Sequence, residues 1–196
     1  NRAPLSDGKI LKVNASGVKE FDLGLGGNDI DHFSELIEVT DGYLIVGQKN
    51  LKSGGATGGY TFSGDGWVVK VNKLGQLIWE KIYGGPFYDS FMSIIKTQGG
   101  YLLSGTTGSG SHNINFWLFK IDEGGNKIDE NFIYGMDRRV PIATGISKSL
   151  LTTNGESFFL GRSRSDIICV KVDHNGKLIF KRTLPTPDNT SGVLLL

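Results

Sequence analysis

The sequence predicts an all-β protein made of repeated four-stranded antiparallel units. Its 196 residues include 29 glycines and only two methionines, a bias typical of many tight turns. An apolar strand with an internal lysine recurs four times, and Asn or Asp followed by Gly closes each copy. Repeats of this length predict a fold assembled from one β unit.

The repeated motif is an apolar strand that enters a tight hairpin. Its four copies are Ile10–Asn14, Val68–Asn72, Leu118–Asp122 and Cys169–Asp173. Each copy is followed by a glycine at the same distance from its lysine: Gly17, Gly75, Gly125 and Gly176. Asn or Asp at the strand end and Gly in the turn indicate positions that need a positive φ.

Three further strands complete each unit. One follows the motif hairpin, as in 76–83 and 177–181. Another comes after a Gly-Gly or similar break, as in 33–39 and 91–96. The last begins directly after a short turn and ends in glycine: 43–47, 101–105 and 157–161. Four short strands at hairpin spacing predict one small antiparallel sheet.

Both faces of these sheets must be buried, because strands such as Trp67–Val71 have apolar side chains on both faces. Successive sheets packed face to face around an axis provide that cover and leave only short edges. The sequence therefore predicts a β-propeller of about four blades' worth of chain, either complete or a portion of a larger ring.

The second copy resembles the bacterial β-propeller repeats of secreted and cell-surface proteins, including the seven-bladed β-propeller repeat. The matching residues are Gly66–Asn72, Gly75, Trp79, Tyr83–Gly85, Asp89 and Gly99–Gly105, while the third copy departs at Asp129 and 136–140. The resemblance implies a secreted or cell-envelope location. It also implies an innermost strand at 93–97 and an outermost strand at 76–83.

We expect residues 1–196 to form a single propeller domain or propeller fragment. The predicted blades are about 31–83, 89–134 and 143–183, with a split or incomplete blade from 1–23 and 191–196. The strand between those last two segments is missing, which favours a portion of a larger ring. A closed four-bladed ring is the alternative.

Function is expected where the connections vary in length, because surface loops tolerate change and carry binding residues. The variable connections 48–65, 106–115 and 162–166 are predicted to lie at one end, with the links between blades. The candidate ligand-binding residues at that end are Asp29, Asp31, His32, Tyr88, Asp89, Arg138 and Arg139, with Tyr60 and His112 in the long loops.

Several candidates also have a structural interpretation. Asp31 and Asp89 recur at the same distance from a motif lysine, so each is expected to cap a strand or pair with a lysine. Arg138 and Arg139 break the repeat pattern, yet a solvated pair of charges explains them as well. Oxygen ligands at alternate positions in 28–31 suggest calcium weakly, whereas no spacing predicts zinc.

Composition excludes some functions. The net charge of +1 and the absence of long Lys/Arg runs argue against nucleic acid, and no stretch has the length of a membrane span. Cys169 is the only cysteine and lies in an apolar run, which predicts a buried thiol. No catalytic constellation or cofactor motif stands out. We therefore expect a non-catalytic module that binds protein or glycan, or acts as a spacer; a glycan-active enzyme with carboxylates near the axis is the alternative.

Overall fold

The computed structural model describes residues 7–52, 63–108, 115–133, 146–152, 156–163 and 166–185. All regular structure in these ranges is β-strand, and the strands form antiparallel sheets, three of them four-stranded. The predicted all-β class and four-stranded units are thus confirmed. In the ranges described, no helix is long and apolar enough to cross a membrane.

The strands follow one another with short connections. In chain order they are β1 Gly8–Val13, β2 Lys19–Leu25, β3 Ile30–Val39, β4 Gly42–Lys52, β5 Ser63–Asn72, β6 Leu77–Tyr83, β7 Asp89–Thr97, β8 Gly100–Thr107, β9 Asn115–Ile121, β10 Lys127–Ile133, β11 Ile146–Leu151, β12 Ser157–Ser163, β13 Asp166–Val172 and β14 Leu178–Leu184. The chain divides into two compact units, Asn1–Phe91 and Met92–Leu196.

The first unit contains the β1–β2 hairpin and a sheet of order β3-β4-β5-β6. Ile10 of β1 packs with Ile45, Trp67 and Val69 in one buried cluster. The ring of Phe33 stacks on Trp67 with centroids 4.6 Å apart. Both faces of β5 are buried, since the consecutive residues Val68 and Val69 are each 0% exposed. The hairpin therefore closes one face of the sheet.

The second unit contains sheets of order β10-β9-β8-β7 and β11-β12-β13-β14, and β7 begins at the end of the first unit. Its core joins Leu102, Phe116 and Leu118 to Phe159 and Val170. Phe116 and Phe159 meet edge to face, with ring centroids 6.1 Å apart. Cys169 lies in this unit as a buried free thiol, as predicted.

The motif turns have the chemistry that the sequence predicts. Asn72 Oδ1 accepts the backbone N–H groups of Leu74 and Gln76, both at 2.9 Å. The following glycine, Gly75, has φ = 78° and donates its N–H to the Asn72 carbonyl at 3.0 Å. The same positive φ occurs at the equivalent glycines of the other copies: Gly17, Gly125 and Gly176. Each turn is therefore held by its own Asn or Asp side chain.

The predicted loop 48–65 is shorter than expected. Strands β4 and β5 extend past the motif, with Gln48 opposite Gly66, Lys49 opposite Asp65 and Lys52 opposite Ser63. The ladder shifts register beyond Lys49, where Asn50 adopts φ = 59°. The expectation was wrong here because polar residues, read as loop, continue the antiparallel ladder past the motif, with one irregularity after Lys49.

Candidate functional site

An open cleft of about 380 Å³ lies in the first unit, at the end of sheet β3–β6 where the sequence places the variable connections. We call it the loop-end cleft. Its lining residues come from four separate segments of the chain. They are Asp29, Asn50, Ser63, Gly64, Asp65, Gly85, Pro86 and Phe87.

Backbone pairing holds two of these segments together. Asp29 lies on the link from β2 to β3, and Asn50 lies in the extension of β4. Residues 85–87 belong to the link from β6 to β7. An isolated parallel bridge between Gly64 and Tyr88 pins this link against the start of β5. The cleft thus has walls that the sheet itself positions.

The side chain of Asp31 connects the link between β2 and β3 to the end of β4 through hydrogen bonds. This side chain is 0% exposed, Oδ2 accepts the Gly27 N–H at 2.7 Å, and Oδ1 accepts the Asn50 N–H at 2.7 Å. A buried carboxylate that accepts backbone N–H groups satisfies both partners. Asp31 therefore shapes the cleft without lining it, which agrees with the structural interpretation.

Asp89 has the equivalent role in the next copy of the repeat. It is 2% exposed, and its Oδ2 accepts the Gly85 N–H at 2.8 Å, repeating the bond from Asp31 to Gly27. Its carbonyl oxygen accepts from Nε2 of the buried Gln48 at 3.2 Å. Asp89 therefore fixes the link that carries Gly85, Pro86 and Phe87.

Asp65 lines the cleft, and the sequence analysis did not single it out. A Cβ added to Gly84 would lie 2.9 Å from Asp65 Oδ1 and 2.5 Å from Asp89 Oδ2, so glycine allows both carboxylates to approach this link. The same arrangement surrounds Gly26, where a Cβ would lie 2.3 Å from Asp7 Oδ1. The signal was present in the repeat, because Asp or Asn precedes every motif lysine at one spacing: Asp7, Asp65, Asn115 and Asp166.

His32 and Tyr88 lie near the cleft but do not line it. Burial lowers the pKa of His32, opposed by the negative charge of Asp31. Burial raises the pKa of Tyr88, which outweighs the opposite effect of its hydrogen bond to Ser90. Both side chains are therefore neutral at pH 7, with His32 unprotonated and Tyr88 protonated.

The remaining candidates lie outside the described residues: Arg138, Arg139, Tyr60 and His112. Over the described ranges, no group of three or more His, Cys, Asp or Glu side chains is arranged to hold a metal ion. At the suggested calcium segment, both oxygens of Asp31 already accept backbone N–H groups. The sequence predicts no cofactor and gives only a weak indication of calcium at 28–31, and both stay predictions.

The cleft offers both hydrogen-bonding and apolar contacts to a ligand. Asp29 and Asp65 supply half-buried carboxylates, and Asn50 and Ser63 supply an amide and a hydroxyl. Phe87 adds a half-buried aromatic ring. Comparison of the chain with protein-family models and with curated protein sequences gives no match. The chemistry of the cleft is therefore the basis for assigning a function.

Proposed function

We propose that this chain is a non-catalytic β-propeller module, secreted or displayed on the cell surface, that binds glycan in the loop-end cleft. Support for the propeller comes from repeated four-stranded sheets whose strands are apolar on both faces. Sheets of this kind need flanking sheets, and stacking about an axis supplies them. The remainder of a larger ring would be a further partner in the same arrangement.

The composition of the cleft lining supports a glycan as the ligand. Sugar hydroxyls both donate and accept hydrogen bonds, and Asp65, Asn50 and Ser63 offer matching groups. The apolar C–H face of a sugar ring needs a flat apolar contact, for which Phe87 is suited. The cleft volume of about 380 Å³ lies in the range of small-ligand sites.

A binding role is favoured over catalysis by the buried carboxylates. Asp31 and Asp89 both accept backbone N–H groups of the links that form the cleft walls. A carboxylate committed to holding backbone in place is poorly suited to transfer protons during turnover. This is the observation on which the proposal depends. A glycan-active enzyme would have to use Asp29 and Asp65 instead.

Glycan-array binding of the purified chain, repeated with a chelator, tests the proposal. We expect saturable binding that Asp65→Asn and Phe87→Ala each weaken by about tenfold or more, equivalent to about 1.4 kcal/mol. Asp41→Asn is the matched control, because Asp41 lies in an exposed turn and pairs with Lys70. The chelator arm reports whether calcium contributes.

Two outcomes would contradict this proposal. Binding that is absent from every glycan class would remove the assigned ligand. Release of reducing ends from a bound glycan, lost in Asp65→Asn, would establish the catalytic alternative. Thermal melts of each variant separate loss of the ligand contact from loss of the fold.

A further inference from the structure

Strand β1 carries a partner on only one edge within the described ranges. It pairs with β2 over Gly8–Val13, and no other described strand joins its sheet. Its equivalents in the repeat, β5, β9 and β13, each lie between two strands of a four-stranded sheet. No described residue occupies the position beside β1 that β4, β8 and β12 hold in those sheets.

The backbone of β1 presents hydrogen-bonding groups to this open edge. At the strand end, the Asn14 N–H donates to the Val18 carbonyl, on the β2 side, at 2.8 Å. Successive residues of a strand direct their backbone groups to opposite edges. Val13, Leu11 and Lys9 therefore direct their N–H and C=O groups away from β2, towards the open edge.

Apolar side chains on β1 are exposed where the repeat buries them. Leu11 is 58% exposed and Val13 is 49% exposed, whereas the equivalent Val69 and Val71 are each 0% exposed. The difference does not come from residue type, since all four are apolar and sit at matching positions around the motif lysine. Leu11 and Val13 lie on the face of β1 opposite the buried Ile10, so the described residues leave this second apolar face of the hairpin uncovered as well.

A groove of about 270 Å³ runs beside β1, and apolar side chains line it together with the polar Lys9, Ser34 and Glu35. Ile10 of β1 and Phe33, Leu36 and Ile45 of the neighbouring sheet line it. Leu36 is 43% exposed, whereas Ile94, its equivalent in the next copy, is 2% exposed. The groove thus contains apolar side chains, Leu36 above all, whose equivalents in the next copy are covered.

Lysines on an edge strand often protect it from pairing, but Lys12 is not placed for that purpose. It occupies the motif position that Lys70, Lys120 and Lys171 hold in strands paired on both edges. Its Nζ contacts Glu20 of β2 at 2.6 Å and lies 5.8 Å from the centre of the Tyr43 ring. Lys12 is therefore compatible with a strand on the open edge.

We propose that the open edge of β1 accepts an extended segment of a separate polypeptide that carries the second-strand pattern of this repeat. In the complete sheet of the first unit, Leu44 lies opposite Lys70 and Val46 lies opposite Val68. We call this added segment the guest strand. The same register places apolar residues of the guest strand opposite Lys12 and Ile10. Directly opposite residues share a face, so these guest side chains enter the groove.

The pattern of the guest strand is defined by three strands of this chain. Residues opposite the motif lysine are apolar in each: Leu44, Leu102 and Phe158. A glycine follows three residues later in each copy: Gly47, Gly105 and Gly161. Backbone pairing supplies the affinity of such strand addition, and the alternate apolar side chains supply its specificity.

A fluorescein-labelled peptide with the sequence of Thr40–Lys49 is the probe, titrated with the intact chain and followed by fluorescence anisotropy. We expect saturable binding, weakened by about tenfold or more when the peptide carries Leu44→Asp and Val46→Asp. In the protein, Leu36→Glu and Leu11→Pro should each weaken binding by a similar factor. Proline at position 11 removes an N–H on the open edge while the bonds to β2 remain.

Matched controls separate the groove from general effects of charge and proline. Leu178→Glu replaces a leucine that is 47% exposed on β14, against 43% for Leu36, and should leave peptide binding unchanged. Leu11→Ala keeps the backbone N–H and should weaken binding less than Leu11→Pro. Circular dichroism melts show whether each variant folds. If Leu11→Pro does not fold, the peptide affinity of Leu36→Glu alone tests the proposal.

Three results would overturn the proposal. The first is an absence of saturable peptide binding. The second is binding that neither Leu36→Glu nor Leu11→Pro alters. The third is self-association of the chain that Leu36→Glu abolishes and the peptide fails to displace, since the edge would then be an interface between copies.

Discussion

Trp67 donates its indole Nε1–H to Oε2 of Glu80 at 3.0 Å, linking the buried centre of β5 to the exposed strand β6. The same oxygen accepts from Lys49 Nζ at 2.8 Å, and that nitrogen lies 4.7 Å from the centre of the indole ring. Trp117 and Glu130 repeat the bond at 2.8 Å in the second unit. The pair therefore belongs to the repeat, although neither residue lies in the motif turn.

Glu80→Ala should destabilise the protein, because it leaves the indole N–H of the buried Trp67 without its acceptor. We expect a loss of about 1–3 kcal/mol in the free energy of unfolding. Glu80→Gln keeps an acceptor oxygen and should cost less. Urea unfolding measures both, with the exposed Glu38→Ala as control. Equal stability of Glu80→Ala and the parent chain would contradict the assigned role of this bond.

Asp89→Asn tests whether the buried carboxylates are structural. The change removes the charge from the acceptor of the Gly85 N–H, so stability should fall by about 1–2 kcal/mol. The glycan profile should stay the same, because Asp89 does not line the cleft. Chemical denaturation checks the stability change, and glycan-array binding checks the ligand profile. Loss of substrate turnover at unchanged stability would instead favour an enzyme.

Gly42→Ala should destabilise strongly, because an added Cβ would lie 1.9 Å from the Val71 carbonyl oxygen. Overpacking against backbone cannot be relieved by a side-chain rotation, so we expect a cost of at least about 2 kcal/mol. Gly24→Ala is the control, since a Cβ there meets nothing within 4 Å. Thermal melts of the two variants compare them directly. Similar melting temperatures would show that the two strands can separate locally.

His32 should make stability depend on pH. Burial lowers its pKa in the folded protein, so the unfolded chain binds the proton more readily. The contribution to stability is complete above the unfolded pKa of about 6.5 and is lost as the pH falls towards the folded pKa. His32→Gln should reduce the stability change between about pH 7.5 and about pH 5.5, with the exposed His174→Gln as control. Urea unfolding at several pH values measures this slope, and identical slopes would contradict the prediction.

The sequence did not predict most of the residues that form the loop-end cleft, because their positions depend on where the strands begin and end. Asp31 was a predicted residue, but its bond to the Asn50 N–H requires β4 to continue into a segment that reads as loop. Asp65 faces the cleft because β5 begins before it. No local pattern specifies how far an antiparallel ladder runs, since each added pair depends on its partner strand.

The sequence by itself determined the all-β class, the four-stranded units and the motif turns. These follow from interactions within a few residues, such as Asn72 with the N–H groups of Leu74 and Gln76, and from apolar side chains on both faces of each strand. The sequence also predicted that the strand beside β1 is missing, whereas only the tertiary structure decided which links converge on the loop-end cleft and which side chains line the groove beside β1. Both depend on the packing of distant segments against one another, and that packing is a property of the folded chain as a whole.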